Sequence, residues 1–171
     1  NPLFVQALDP DDGTVDLTSA VHRRLATLDD RVQETLRLVS VLGLEFEVRV
    51  AAVATRRADL DLIDDLERAV AARLVVDVGR DRFRFAHALI RSSLRDGLSS
   101  ARRARLHARI AAAIHDVHGD APETLVELAF HSAEAADGDP SQASAAIDRL
   151  RRAAERSMEQ LSFEEAADLL G

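Results

Sequence analysis

The chain has 171 residues, 47% hydrophobic and 30% charged, enough to bury one substantial core or two small ones and too apolar for a disordered tail. It has no cysteine, which excludes disulfide frameworks, thiolate metal sites and cysteine nucleophiles. Its 22 basic residues, all arginine, against 30 acidic ones give a formal charge of −8, and this balance argues against broad nucleic-acid binding, which needs a basic face. No stretch approaches the roughly 18 apolar residues of a membrane span. Asn1-Pro2-Leu3-Phe4-Val5 lacks the basic region of a signal peptide, so a cytoplasmic protein without a membrane partner is expected.

Asp9-Pro10-Asp11-Asp12-Gly13 reads as an irregular, turn-forming segment. A first helix is expected after Asp16 or Thr18, running through Leu25 and Leu28. A second, from about Asp30 to Leu42, puts Val32, Leu36, Val39 and Leu42 on one stripe, with Gly43 to end it. Phe46, Val50 and Val53 predict a short third helix. Leu62 or Ile63, Leu66, Val70 and Leu74 predict a longer fourth, capped by Asp59 or Asp61. The period then changes: Leu74–Val78 is β-branched, Gly79-Arg80-Asp81 is a turn, and Arg82-Phe83-Arg84-Phe85 alternates polar and aromatic residues, a β-hairpin. A helix then begins near His87, with Ile90, Leu94 and Leu98 inward. Helices followed by one hairpin give the order of a winged helix with the hairpin as its wing.

Beyond Ser99 the pattern is helical throughout. Leu106, Ile110, Ala113, Ile114 and Val117 form the stripe of a long helix, and a second follows Pro122 with Leu125, Leu128, Ala129 and Ala133 inward. Asp139-Pro140 opens a third through Ala143, Ile147, Leu150 and Ala154, and Ser162-Phe163-Glu164-Glu165 is a capping box. Alanine-rich helices with short connections suit a helical repeat array, which here is expected to be truncated at Gly171. The fold expectation is therefore mostly α: a winged-helix-like domain at 14–98 with one hairpin, then helical hairpins of a tetratricopeptide-like array at 99–171, with residues 1–13 as a linker.

Several segments, in their order and spacing, resemble the STAND signal-transduction ATPases, in particular the large ATP-binding bacterial transcriptional regulators of the LuxR and maltose-regulator kind and their cyclase-linked relatives. The resemblance rests on Asn1-Pro2-Leu3-Phe4-Val5, Val21-His22-Arg23-Arg24-Leu25-Ala26-Thr27-Leu28, Val39-Ser40-Val41-Leu42-Gly43-Leu44-Glu45-Phe46 and Phe83-Arg84-Phe85-Ala86-His87-Ala88-Leu89-Ile90-Arg91. Arg105-Leu106-His107 and Leu128-Ala129-Phe130-His131 extend it. It implies that a P-loop ATPase domain lies upstream, that residues 1–13 end its lid, and that the repeat array receives a protein or small-molecule inducer. ATP or ADP would be the cofactor of the full-length parent and not of this segment. Pro2 resembles the proline that lies against adenine in the family's GxP-type motif, and His87 the histidine that approaches the ADP diphosphate in the resting state. These two are the candidate nucleotide contacts. A histidine opening a helix also offers a donor beside the positive end of the helix dipole.

The more ordinary account of His87 is a helix-opening residue bonded to its own backbone. The segment has no GxxxxGK[ST] loop, no acidic magnesium-binding strand and no C-terminal DNA-binding helix-turn-helix, so it is expected to be no enzyme by itself. Ser92 and Ser93 lack a G-x-S-x-G elbow and a positioned base. His107, His115, His118 and His131 raise a zinc site, but no firm ligand spacing completes one. Arg102, Arg105 and Arg109 share a helix face without interleaved aromatics, which reads as a solvated face rather than a nucleic-acid patch. The fourth helix, where a winged helix would read DNA, carries Asp59, Asp61, Asp64, Asp65 and Glu67, the wrong sign for phosphates. The alternative to the nucleotide-switched reading is a stand-alone helical module for protein–protein interaction.

Overall fold

The computed structural model describes residues 13–119 and 121–136, and between 144 and 158 the positions 144, 147, 148, 151, 152, 155, 156 and 158. The chain divides into two compact units, Asn1–Leu98 and Ser99–Gly171. It is mostly helical with one small antiparallel sheet.

The first unit runs α1 (Gly13–Ala26), α2 (Asp30–Leu42), β1 (Glu45–Glu47), α3 (Val48–Thr55), α4 (Asp59–Ala71), β2 (Val75–Gly79), β3 (Arg82–Phe85) and α5 (Ala88–Asp96). Helix α1 begins at Gly13, earlier than the turn-forming composition suggests. Helix α2 is the centre of the unit, packing against α3, α4 and α5. Its predicted stripe Val32, Leu36, Val39 and Leu42 is buried, and so are Leu38, Ser40 and Val41, so its C-terminal half is covered nearly all round. Gly43 ends it in extended backbone at φ 175°, not in the left-handed region. Glycine is needed there because a Cβ would lie 2.7 Å from the Glu45 carbonyl oxygen.

Phe46 corrects the expected third helix. It sits in β1, a third strand, and α3 starts only at Val48. The three residues of β1 pair with β3 in the register Glu45↔Arg84, Phe46↔Phe83 and Glu47↔Arg82, giving the sheet order β1-β3-β2. Three residues are too few for a period of two to declare itself. Phe46 is buried on the ring of Phe83, centroids 6.4 Å apart, and of Phe85, 5.8 Å apart. Glu45 and Arg82 add an exposed ion pair at 2.7 Å.

The hairpin turns through Gly79, Arg80 and Asp81 at φ of 82°, 54° and 56°, with a register irregularity between Asp77 and Gly79. Positive φ at two central residues is what a primed hairpin turn requires, and Arg80 is an unusual residue to adopt it. The Asp81 carbonyl accepts the Val48 amide at 2.8 Å, supplying the first turn of α3 with a cap that its N-cap residue Glu47 does not provide by side chain. Helix α4 departs from expectation similarly. Its N-cap is Ala58 without a side-chain bond, and Asp59 and Asp61 lie inside the first turn, where they complement the helix dipole rather than cap.

Asp65 of α4, grouped in the sequence with acids of the wrong sign for phosphates, is fully buried. Its Oδ2 accepts the Thr35 hydroxyl of α2 at 2.8 Å and Arg57 Nη1 of the α3–α4 connection at 2.6 Å. Arg31 Nη2 of α2 approaches Oδ1 at 2.6 Å as an ion pair without aligned hydrogen-bond geometry. Arg57 also donates to Thr35 Oγ1 and to the Asp61 carbonyl, both at 2.8 Å. One carboxylate thus ties α2, α4 and the connection between α3 and α4. Asp65→Ala leaves Arg57 without its counter-charge and is expected to destabilise the unit by about 3 kcal/mol, the low end for a broken buried pair because Arg31 is half in solvent. Urea denaturation measures the loss.

Asp29 caps α2, its Oδ1 accepting the Val32 amide at 3.0 Å while Oδ2 pairs with Arg68 of α4 at 2.8 Å. The Val32 amide chiefly, helped by Arg68 and Arg31 and opposed by desolvation, holds this carboxyl below its ordinary value of 3.8. A carboxyl lowered in the folded state contributes stability above its unfolded value and loses it as pH falls through the folded one. Asp29→Ala should therefore lower the urea midpoint at neutral pH, with a difference that shrinks as pH falls below 3.8.

In the second unit, α6 (Ser100–His118) and α7 (Pro122–Ala136) pack on each other. Ser99 caps α6, accepting the Arg102 amide, and Gly119 ends it at φ 63°. The predicted stripes hold at Leu106, Ile110, Ala113, Ile114, Leu125, Leu128 and Ala129, whereas Val117 and Ala133 are only half-buried. Ile147, expected in the third helix, is helical and exposed. The capping box from Ser162 lies outside the described residues. No helix among those described is long and apolar enough to cross a membrane.

Candidate functional site

His87 is the N-cap of α5, in extended backbone one residue before the helix rather than within its first turn. Its Nδ1 accepts the Leu89 amide at 3.1 Å, the backbone-capping bond of the ordinary account. With Nδ1 used as an acceptor, the neutral ring carries its proton on Nε2. The hairpin and the sheet set this position, since the Phe85 amide donates to the Leu44 carbonyl and the Ala86 amide to the Leu74 carbonyl just before the histidine. The ring is exposed. Pro2, the other candidate nucleotide contact, lies outside the described residues.

Arg91 and Arg95 follow His87 at steps of four along α5, on the same side of the helix. Arg91 is half-buried and its Nε donates to the Ser40 carbonyl at 2.9 Å, in a last turn of α2 that has no basic residue of its own. Burial first, and then the neighbouring charge of Arg95, holds its guanidinium below the usual arginine value. Sequence reading missed both arginines because nothing in their spacing distinguishes them from a solvated helix face.

A second constellation lies within α6 and α7. His107 and His131, 5% and 1% exposed, face each other with Nδ1 atoms 2.9 Å apart. One Nδ1–H must donate to the other Nδ1, so at least one ring is neutral. Phe130 meets both rings edge-on at centroid distances of 5.8 and 5.2 Å, and Glu134 Oε2 lies 3.8 Å from His107 Nε2. The sequence signal was available: His107 falls between Leu106 and Ile110 in the apolar stripe, and His131 three residues after Leu128. His115 is exposed and His118 half-buried, and among the described residues no group of three or more His, Asp or Glu side chains could hold a metal ion.

Exposed Arg102, Arg105 and Arg109 lie on α6, and exposed Asp59, Asp61, Asp64 and Glu67 on α4. No protein-family model, curated protein or solved structure matches the chain. His131→Ala should destabilise the second unit by about 3 kcal/mol, because it removes the partner of a buried ring nitrogen and opens a cavity. In a double-mutant cycle with His107→Ala, urea denaturation should return a coupling above about 0.5 kcal/mol.

Proposed function

We propose that the chain is the regulatory winged-helix and helical-repeat segment of a STAND-type, nucleotide-switched bacterial signalling or transcriptional regulator. It performs no catalysis itself. It couples the ATP or ADP state of a P-loop ATPase domain to a protein or small-molecule inducer received on the repeat helices, in the cytoplasm and without contacting nucleic acid. The single observation that carries this reading is the element order of the first unit. Helices α2, α3 and α4, a short strand β1, the β2–β3 hairpin and a following helix opened by His87 follow one another in the order expected of a winged helix, which supports the reading. The two consecutive helices α6 and α7 with a short connection support a repeat array.

Switching in this reading is a rearrangement of packed helical units, with the histidine-opened helix end lying against a diphosphate in the resting state. The exposed acids of α4 disfavour a DNA-reading winged helix. A stand-alone interaction module is the second reading, favoured by Val126 and Phe130, 62% and 49% exposed one turn apart on α7. In a polypeptide carrying the expected P-loop domain ahead of Asn1, His87→Ala should release ADP about tenfold faster, a loss of about 1.4 kcal/mol, and raise basal output. Unchanged ADP release together with unchanged output would sink the nucleotide-switched reading.

A further inference from the structure

The geometry points to a phosphate-binding pair formed by Arg91 and Arg95 on the side of α5 that begins at His87. In the first unit Arg57 and Arg31 meet Asp65, Arg37 meets Glu34 and Arg68 meets Asp29. Arg91 meets a carbonyl and another arginine. Its Nε is used by the Ser40 carbonyl, and among the described residues no carboxylate pairs with its two terminal nitrogens or with Arg95. Like charges four residues apart on a helix repel, and here they do so beside a half-buried guanidinium in a chain with eight more carboxylates than arginines.

The Ser40 contact accounts for one face of Arg91, as a cap on the end of α2, and leaves the outer edge of the guanidinium to a ligand. Nε anchored to a carbonyl fixes the plane of the group, so that its two terminal nitrogens present the fork that matches an oxyanion. Arg95, one turn on, supplies a second charge on the same side. A ligand with one phosphate engages one fork; a diphosphate engages both. That the natural source is a nucleotide diphosphate rests on the function proposed above, whereas the anion site itself does not.

Titration of the full chain with inorganic phosphate, inorganic pyrophosphate and ADP, followed by the arginine Nε–Hε resonances and by calorimetry, tests the site. Pyrophosphate is expected to saturate and to shift the Arg91 and Arg95 signals, with phosphate weaker. Arg95→Gln, at an exposed position that leaves the Ser40 contact in place, should weaken pyrophosphate about tenfold, and Arg91→Gln at least as much. ADP binding as tightly as pyrophosphate or more so identifies the nucleotide as the source; phosphate and pyrophosphate binding without ADP identifies a free phosphate. No saturable shift with any of the three, or Arg95→Gln binding pyrophosphate like the unaltered chain, overturns the proposal. Pyrophosphate binding lost in Arg95→Gln, alongside ADP release indifferent to His87→Ala in the longer protein, would keep the anion site and reject the switch. The reverse pattern would keep the switch and reject this pair.

Discussion

A single carboxylate sets the geometry of the first unit. Asp65 is excluded from water, and an ionised group there is tolerable only because Thr35, Arg57 and Arg31 reach it together. The four residues come from α2, α4 and the α3–α4 connection, so the angle at which these helices meet is constrained by bonds with direction as well as by apolar contact. Hydrophobic burial alone tolerates small sliding of one helix on another; a guanidinium on a buried oxygen at 2.6 Å does not. With α2 fixed in this way, its last turn is where Arg91 finds Ser40, and the start of α5 follows from that.

Much of this arrangement was legible in the sequence, for identifiable reasons. The stripe of α2, the hairpin and the long helix α6 rest on sustained periodicity, and each is found where the spacing puts it. Strand β1 escaped because three residues carry no period, and its only mark was Phe46, which suits either a helix or a strand. Asp65 escaped for a different reason. Its spacing from Leu62 and Ala69 puts it on the buried stripe of α4, but Arg31 and Thr35, which help make its burial tolerable, come from another helix about 30 residues earlier, and only Arg57 lies nearby in sequence. His107 and His131 lay on apolar stripes, where their type suggested ligands; that they are each other's partners depends on the register of α6 against α7, which composition does not encode.

The two polar clusters differ in what they ask of their surroundings. The imidazole pair joins α6 to α7, each ring nitrogen Nδ1 facing the other with Phe130 edge-on to both, and it fits a role in specifying which residues of two alanine-rich helices face one another. Smooth helix faces built from small side chains pack almost equally well in several registers, and one buried polar pair selects among them. The α5 side is the opposite case, with cationic groups brought close and not neutralised by described carboxylates. One cluster stabilises a packing; the other is arranged to receive something.

The carbonyl of Asp81 that caps α3 makes the tip of the hairpin a structural member. Exposed hairpin tips ordinarily accept insertions and sequence drift, since their backbone answers to no one else. Here one added residue between Gly79 and Arg82 would carry the carbonyl away from Val48 and leave the first turn of α3 short of a partner. The length of this tip is therefore tied to the first turn of α3, while side chains at Val78 and Arg80 can change without moving the carbonyl.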